Sequence, residues 1–293
     1  MTNPSSQRRP WRSWLLGIIL DDRRFQKALE SCADVVTLDL EDAVTPDTKL
    51  KARDRAVELI GRGRAFLGGR EAWVRINDLF SPWGLEDLNA IVRLDIDGIC
   101  YPMVRGAEEV WAVRRIMDAH GCKAKLKLII ETPQALMNLN DIMRVPGITH
   151  LNHGAGDLCA ETGISPNEST SLDFTAVQTV IAARAYGAQA TEGIHIEGWR
   201  NEEAVKAFVQ HAKMQGFDGL ESFYPPHMQI INEAFLPTAR EIEQARREIA
   251  AYEAAREQGK PAIVVDGKAI AIHDYEKALK LIRDADPLHP ATR

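Results

Sequence analysis

Eight short apolar runs, each followed by a stretch with helical spacing, constrain this chain more than any other feature. They lie at about 14–19, 35–40, 72–77, 97–101, 126–130, 148–153, 191–196 and 217–222. Runs of this length, rich in β-branched residues and separated by amphipathic segments, are the rhythm of βα units in a parallel sheet. Between the fourth and fifth runs, Val110, Val113, Arg114 and Met117 recur at helical spacing over 106–120, as on a helix lying outside a barrel. A count of eight predicts closure into a (β/α)8 TIM barrel, an α/β fold, over residues 12–236. The open doubly wound sheet is the alternative, but no GxGxxG follows the first run.

Beyond the eighth run the pattern changes. Thr238 and Glu241 form a capping box, and Ile242, Ala245, Ile249 and Tyr252 line one face of a long helix that Gly259 and Pro261 stop. An extended piece at 262–265, an Asp266-Gly267 turn and a second short helix near 274–283 complete a small C-terminal helical appendage over 237–293. No low-complexity tract or solenoid repeat marks a further domain.

Hydrophobic residues make up 45% of the 293 and charged residues 27%, enough apolar surface for one large core. The formal charge of −6, spread over mixed-sign helices, argues against a nucleic-acid partner. The apolar stretch at 14–20 is far shorter than a membrane span, and residues 1–14 lack the apolar run of a signal peptide. Cys32, Cys100, Cys122 and Cys159 are scattered as reduced thiols would be. These features lead to the expectation of a cytoplasmic protein without a membrane partner.

In a barrel of this kind, functional side chains collect at the C-terminal ends of the strands. Glu131 directly follows the fifth run, where a lone buried carboxylate needs a partner. Asp157 follows His153-Gly154-Ala155-Gly156, a small-residue loop that lets backbone approach a ligand. Two carboxylates plus waters and substrate oxygens suit Mg2+, with Mn2+ as the alternative, better than zinc. Spacing alone leaves the other reading open, a pair of capping or salt-bridged carboxylates. His150 and His153 show HxxH spacing but would face opposite sides of a strand.

Strand alternation puts Trp73, Arg75 and Asn77 on one face. An interior arginine calls for an anion: a substrate carboxylate held bidentately, or Glu41 or Asp42 as a salt bridge. Asp39, Glu41 and Asp42 crowd negative charge at the end of the second run, and Lys49 and Arg53 in the following helix are candidates to neutralise it.

Several segments, in order, resemble one known family: the citrate lyase β subunit and malyl-CoA lyase group within the HpcH/HpaI aldolase superfamily. They are Leu38-Asp39-Leu40-Glu41-Asp42-Ala43-Val44 with Lys49 and Ala52-Arg53, Val74-Arg75-Ile76-Asn77, Asp97-Gly98-Ile99, Ile130-Glu131-Thr132 and Gly154-Ala155-Gly156-Asp157-Leu158. Gly216-Phe217-Asp218-Gly219, Asn232-Glu233-Ala234-Phe235 and Val265-Asp266-Gly267-Lys268 continue the match. The resemblance implies a Mg2+-dependent carbon–carbon lyase or aldolase with the metal on Glu131 and Asp157. It implies a small oxo-acid or hydroxy-acid substrate, free or as a CoA thioester, bound by Arg75, Asn77, Gly154, Ala155 and Gly156. Arg75, Glu41, Asp42 and Asp266 are the candidate catalytic residues. A homo-oligomer, trimer or hexamer, is implied as well. The alternatives are thioester hydrolysis at the same site and a partner-dependent or non-catalytic subunit.

Three segments depart from the family pattern. Leu16-Gly17-Ile18-Ile19 stands where relatives resemble FVPG. Gly219-Leu220 and Phe223-Tyr224-Pro225-Pro226-His227 stand for GK and IHPxQ, and Asp266-Gly267-Lys268-Ala269-Ile270-Ala271 for DGKMID. The first two remove a cation and a close backbone approach, which predicts weak binding of free CoA. The third removes an acid at Ala271 and leaves Asp266 or Asp274 as substitutes.

Overall fold

The computed structural model describes residues 11–165 and 171–285. Eight parallel strands, β1 (Ser13–Gly17), β2 (Val35–Asp39), β3 (Ala72–Arg75), β4 (Gly98–Tyr101), β5 (Lys125–Ile130), β6 (Ile148–His153), β7 (Gln189–Gly193) and β8 (Gly219–Ser222), close in sequence order. The barrel is completed by β1 pairing with β8 at Ser13 and Leu220. Helices α1 (Asp22–Glu30), α2 (Lys49–Gly61), α3 (Gly84–Ile91), α4 (Ala107–Ala119), α5 (Pro133–Ile142), α6 (Ala155–Thr162), α7 (Ser171–Ala185), α8 (Glu202–Gln215) and α9 (His227–Phe235) follow the strands. The expected (β/α)8 architecture is the one found.

Two strands start or stop where barrel pairing, and not apolarity, dictates. The seventh begins at polar Gln189, because that residue is in register with His150, and it ends at Gly193 before the apolar Ile194. The eighth begins at Gly219, because Asp218 is used ahead of the strand to accept from Ala190 N at 2.9 Å and from Arg184 at 2.7 Å.

Inside the barrel, below its mouth, Trp14, Val35, Trp73 and Cys100 form a packed cluster. The Trp14 and Trp73 rings meet edge-on at 4.9 Å, and His150 lies 5.2 and 5.1 Å from them. A Cβ at position 98 would come within 2.1 Å of the Trp73 ring, so only glycine admits the indole there. Lys127, fully buried, donates to Glu221 Oε2 at 2.5 Å and sits 3.8 Å from the Trp14 ring centroid.

The packing divides the chain between Asn232 and Glu233, inside α9, where the sequence pattern suggested 236–237. In the second unit, α10 (Ala239–Glu257) begins with the expected capping box: Glu241 N donates to Thr238 Oγ1 at 3.2 Å, and Thr238 N to Glu241 Oε2 at 2.7 Å. Strands β9 (Ile263–Val265) and β10 (Lys268–Ile270) form a hairpin turned by Asp266 and Gly267 at φ 50° and 80°. Then α11 (Ile272–Asp284) follows, with Tyr275 stacked on Tyr252 at 4.9 Å. The strand β10 was not expected; Ile270 is buried by pairing with Ile263, a contact invisible to local pattern. Among the described residues no helix is long and apolar enough to cross a membrane.

Candidate active site and metal centre

Asp39 and Arg75 end neighbouring strands and face each other in register. The guanidinium grips the carboxylate with both prongs, Nε to Oδ1 at 2.8 Å and Nη2 to Oδ2 at 2.6 Å, and both groups are almost wholly buried. The Asp39 oxygens also accept from Glu41 N and Ala43 N, which fixes the loop that carries Glu41. Only Nη1 of Arg75 turns away from Asp39. It lies 2.7 Å from Glu41 Oε2 and 3.4 Å from Asp42 Oδ2. The contact to Glu41 is an ion pair without an aligned hydrogen bond, so that oxygen is buried and unsatisfied.

The expected neutralisers behave differently. Arg53 reaches across to α3 and pairs with Asp87 at 2.6 Å and Glu86 at 2.7 Å, because its helical position points it away from the strand ends. Lys49 donates to Leu40 O, Glu41 O and Asn77 Oδ1, so its three hydrogens bind the loop and not the carboxylates. Asn77 is engaged at both ends of its amide, with Lys49, Leu40 O and Asp87, and braces the backbone.

Glu131 follows β5 and is 4% exposed. Its Oε1 accepts from Met103 N at 2.6 Å. Met103, in the loop after β4, holds φ at 50°, a left-handed conformation unusual for a side chain of that size. Sequence reading did not find this support, since the strain belongs to backbone geometry. Across from it, a Cβ at position 154 would lie 2.6 Å from Glu131 Oε2, so the glycine backbone closes directly on the carboxylate. Asp157 stands exposed in the first turn of α6, close enough to Glu131 for the two carboxyls to perturb each other. The helix has Gly154 as N-cap with no capping side chain, which leaves its first N–H groups free of an internal acceptor.

Crowding shows in the acidities. Burial first, then the charges of Glu41 and Asp157, hold Glu131 well above the usual carboxylate range against the pull of Met103 N–H and Arg75. Glu41 is pushed up to about 7, chiefly by burial, with Arg75 opposing and Asp42 and Asp39 adding. Asp157 is raised by the solvent its neighbours displace and by Asp42. Burial would lower Arg75, but Asp39 and Glu41 hold it above its ordinary value. Five carboxyl groups thus converge on one guanidinium, an arrangement that a bound cation would relieve. Among the described residues no three His, Cys, Asp or Glu side chains are placed to cage a metal. A two-carboxylate site that leaves positions for water and substrate oxygen fits Mg2+ and not structural zinc.

Residues 22–225 match the family described as HpcH/HpaI aldolase/citrate lyase. The chain belongs to that family. It is 33% identical over 272 residues to a (3S)-malyl-CoA thioesterase of Cereibacter sphaeroides (strain ATCC 17025 / ATH 2.4.3), covering 90% of each chain. To the L-malyl-CoA/beta-methylmalyl-CoA lyase of the same strain it is 28% identical, over 97% of each. The protein CitE of Mycobacterium tuberculosis, solved with magnesium, acetoacetate and coenzyme A, shares the fold with a TM-score of 0.75. Its sequence identity is 22%, over 94% of this chain and 97% of that one.

Around this candidate centre the remaining residues separate. His150 points into the barrel beside the tryptophans, whereas His153 points outward to Glu192, so no HxxH ligand pair exists. Beside the first strand, a cavity of about 300 Å3 is lined by Leu15, Leu16, Ile18, Trp199, Phe223 and Tyr224. Arg24, Lys27 and Arg200 also line it, and the Arg200 guanidinium lies 4.4 Å from the Trp199 ring centroid. These cations come from separate segments, which is why they escaped sequence reading. In the second unit, Asp266 is an exposed turn residue 3.5 Å from Arg247. Asp274 accepts from Ala271 N at 3.1 Å and pairs with Lys268, contacts that hold its carboxyl below the usual range and commit it to capping α11.

Proposed function

We propose that this chain makes or breaks a carbon–carbon bond next to a carbonyl, acting on a short β-hydroxy acid or its CoA thioester. The observation that carries the reading is the convergence of buried Glu131 and exposed Asp157 on the side of the mouth where Arg75 turns Nη1, the one guanidinium nitrogen not bound to Asp39, toward Glu41 and Asp42. Mg2+ held by Glu131 and Asp157, with Mn2+ as an alternative, supplies Lewis-acid stabilisation to charge that grows on substrate oxygens. Magnesium in the structure of CitE supports that choice.

Arg75 Nη1 steadies the carbonyl oxygen of the same fragment as it takes on enolate character, a charge that increases in the transition state. The N–H groups of Ala155 and Gly156 in the first turn of α6 orient the substrate carboxylate, with Gly154 leaving the backbone open to its approach. Glu41, with its carboxyl near 7, is suited to hold a proton at neutral pH. In cleavage it takes the proton of the β-hydroxyl; the carbon–carbon bond breaks, its electron pair enters the acyl fragment, and Glu41 returns the proton to that carbon. Arg24, Lys27 and Arg200 around an aromatic cavity support the thioester form, since a cationic rim suits phosphates and an indole suits a base.

One observation favours a second reading, hydrolysis of the thioester: the 33% identity to a malyl-CoA thioesterase. Incubating the Mg2+-loaded protein with malyl-CoA decides. Acetyl-CoA and glyoxylate as products establish the lyase, and free CoA thiol with malate establishes the hydrolase. No turnover of a broad panel of thioesters and oxo acids would refute both and leave a partner-dependent subunit. Separate titrations of acetyl-CoA and oxaloacetate test the cavity: oxo-acid binding without acetyl-CoA binding would exclude the thioester.

A further inference from the structure

The last rung of three adjacent strands pairs Ile130 with His153 and His153 with Glu192. Each of the first two residues immediately precedes a part of the candidate metal centre, Glu131 in one case and the Gly154 loop in the other. On the outer side of that rung, His153 is held at both ring nitrogens. Nδ1 lies 2.9 Å from each oxygen of Glu192, and Nε2 lies 2.9 Å from Thr175 Oγ1 on α7. All three side chains are buried, with His153 and Glu192 almost fully enclosed and Thr175 7% exposed.

The order Thr, His, Glu has the spacing of a nucleophile, base and orienter, but all three are buried on the outer side of the sheet, where no substrate reaches them. Thr175 Oγ1 lies 3.0 Å from Leu172 O and 2.9 Å from His153 Nε2, so the one hydroxyl ties the imidazole to the first turn of α7. The hydroxyl is therefore an anchor. Leu172, whose carbonyl it binds, packs against Ala155 and Leu158 of α6, the helix that carries Asp157. From the other side, Gly154 N donates to Ile130 O at 3.0 Å, and the glycine lies against Glu131 with no room for a side chain.

We propose that His153, with Glu192 and Thr175, is a positioning group for the metal centre: it fixes the end of β6 and the seat of α6, and so sets the separation of Asp157 from Glu131. The inference rests on the metal reading of those two carboxylates. It identifies residues that touch neither metal nor substrate yet determine affinity for the cation.

The test uses the full chain and two readouts, Mg2+ affinity by calorimetry and amide hydrogen exchange at residues 154–158 without metal. His153→Phe fills the same space and removes both ring bonds. Its dissociation constant for Mg2+ should rise by about 10- to 100-fold, the usual effect of losing a residue that orients metal ligands, with faster exchange confined to that loop. Glu192→Gln keeps an amide oxygen as acceptor and should stay close to wild type in both. A folded His153→Phe with wild-type affinity and wild-type exchange overturns the proposal. Should that variant not fold, Thr175→Val is read in the same way: weaker Mg2+ binding and faster exchange support the clamp, and no change in either overturns it. Failure of the metal reading looks different, because Asp157→Ala would then leave Mg2+ binding untouched while the exchange readout still judges the clamp.

Discussion

Deep in the barrel, Lys127 meets Glu221 among two tryptophans and a histidine, one cation against one anion with no solvent between them. At the mouth of the same barrel, Asp39 and Arg75 make an equally close pair, but Glu41, Asp42, Glu131 and Asp157 crowd around it. The deep pair is electrically closed, whereas the mouth carries excess negative charge. Closed pairs rigidify a core, while an unbalanced cluster is held in place by surrounding structure and marks where a ligand supplies the missing charge.

The comparison breaks most directly at the metal ligands. Glu131→Ala or Asp157→Ala should abolish Mg2+ binding while the melting temperature without metal stays the same or rises slightly, since crowded carboxylates lose a neighbour. Unchanged calorimetric affinity would show the mouth to be as self-sufficient as the deep pair. Lys127→Met should do the opposite, destabilising the fold by about 3–5 kcal/mol through an uncompensated Glu221 and leaving the affinity of the folded protein for Mg2+ intact. Denaturant unfolding reads the first effect; a loss below 1 kcal/mol, on the order of a surface pair, would contradict it.

Titration of Glu41 sharpens the contrast. Its folded carboxyl is raised from 4.5 to about 7, so between those values the folded chain keeps a proton that the unfolded chain has released. Stability of the metal-free protein should therefore fall as pH rises through that window, by on the order of 3 kcal/mol, and level off above it. Glu41→Gln should flatten this part of the profile, and a variant with the wild-type slope would point to another group. A smaller effect is expected of Arg75→Lys, which replaces a planar fork by a point charge. Binding of oxaloacetate should weaken by roughly 1.5–3 kcal/mol, the value of one charged hydrogen bond. Wild-type binding would confine Arg75 to its pairing with Asp39.

The sequence by itself determined the eight strands, the TIM barrel and the placement of Glu131 just after β5 and of Asp157 just beyond the loop that follows β6, along with the capping box at Thr238. Each of these is written in near neighbours along the chain, where a two-residue or 3.6-residue period, a helix cap or a small-residue loop has its own local physics. Only the tertiary structure decided which charges meet. It sent the Arg75 fork to Asp39 and Arg53 to Asp87, turned Lys49 onto carbonyls, set Met103 beneath Glu131 and brought His153, Glu192 and Thr175 together. Those partners depend on strand register and on the closure of the barrel, which fix side chains far apart in sequence to within hydrogen-bond distance, and no local pattern encodes that distance.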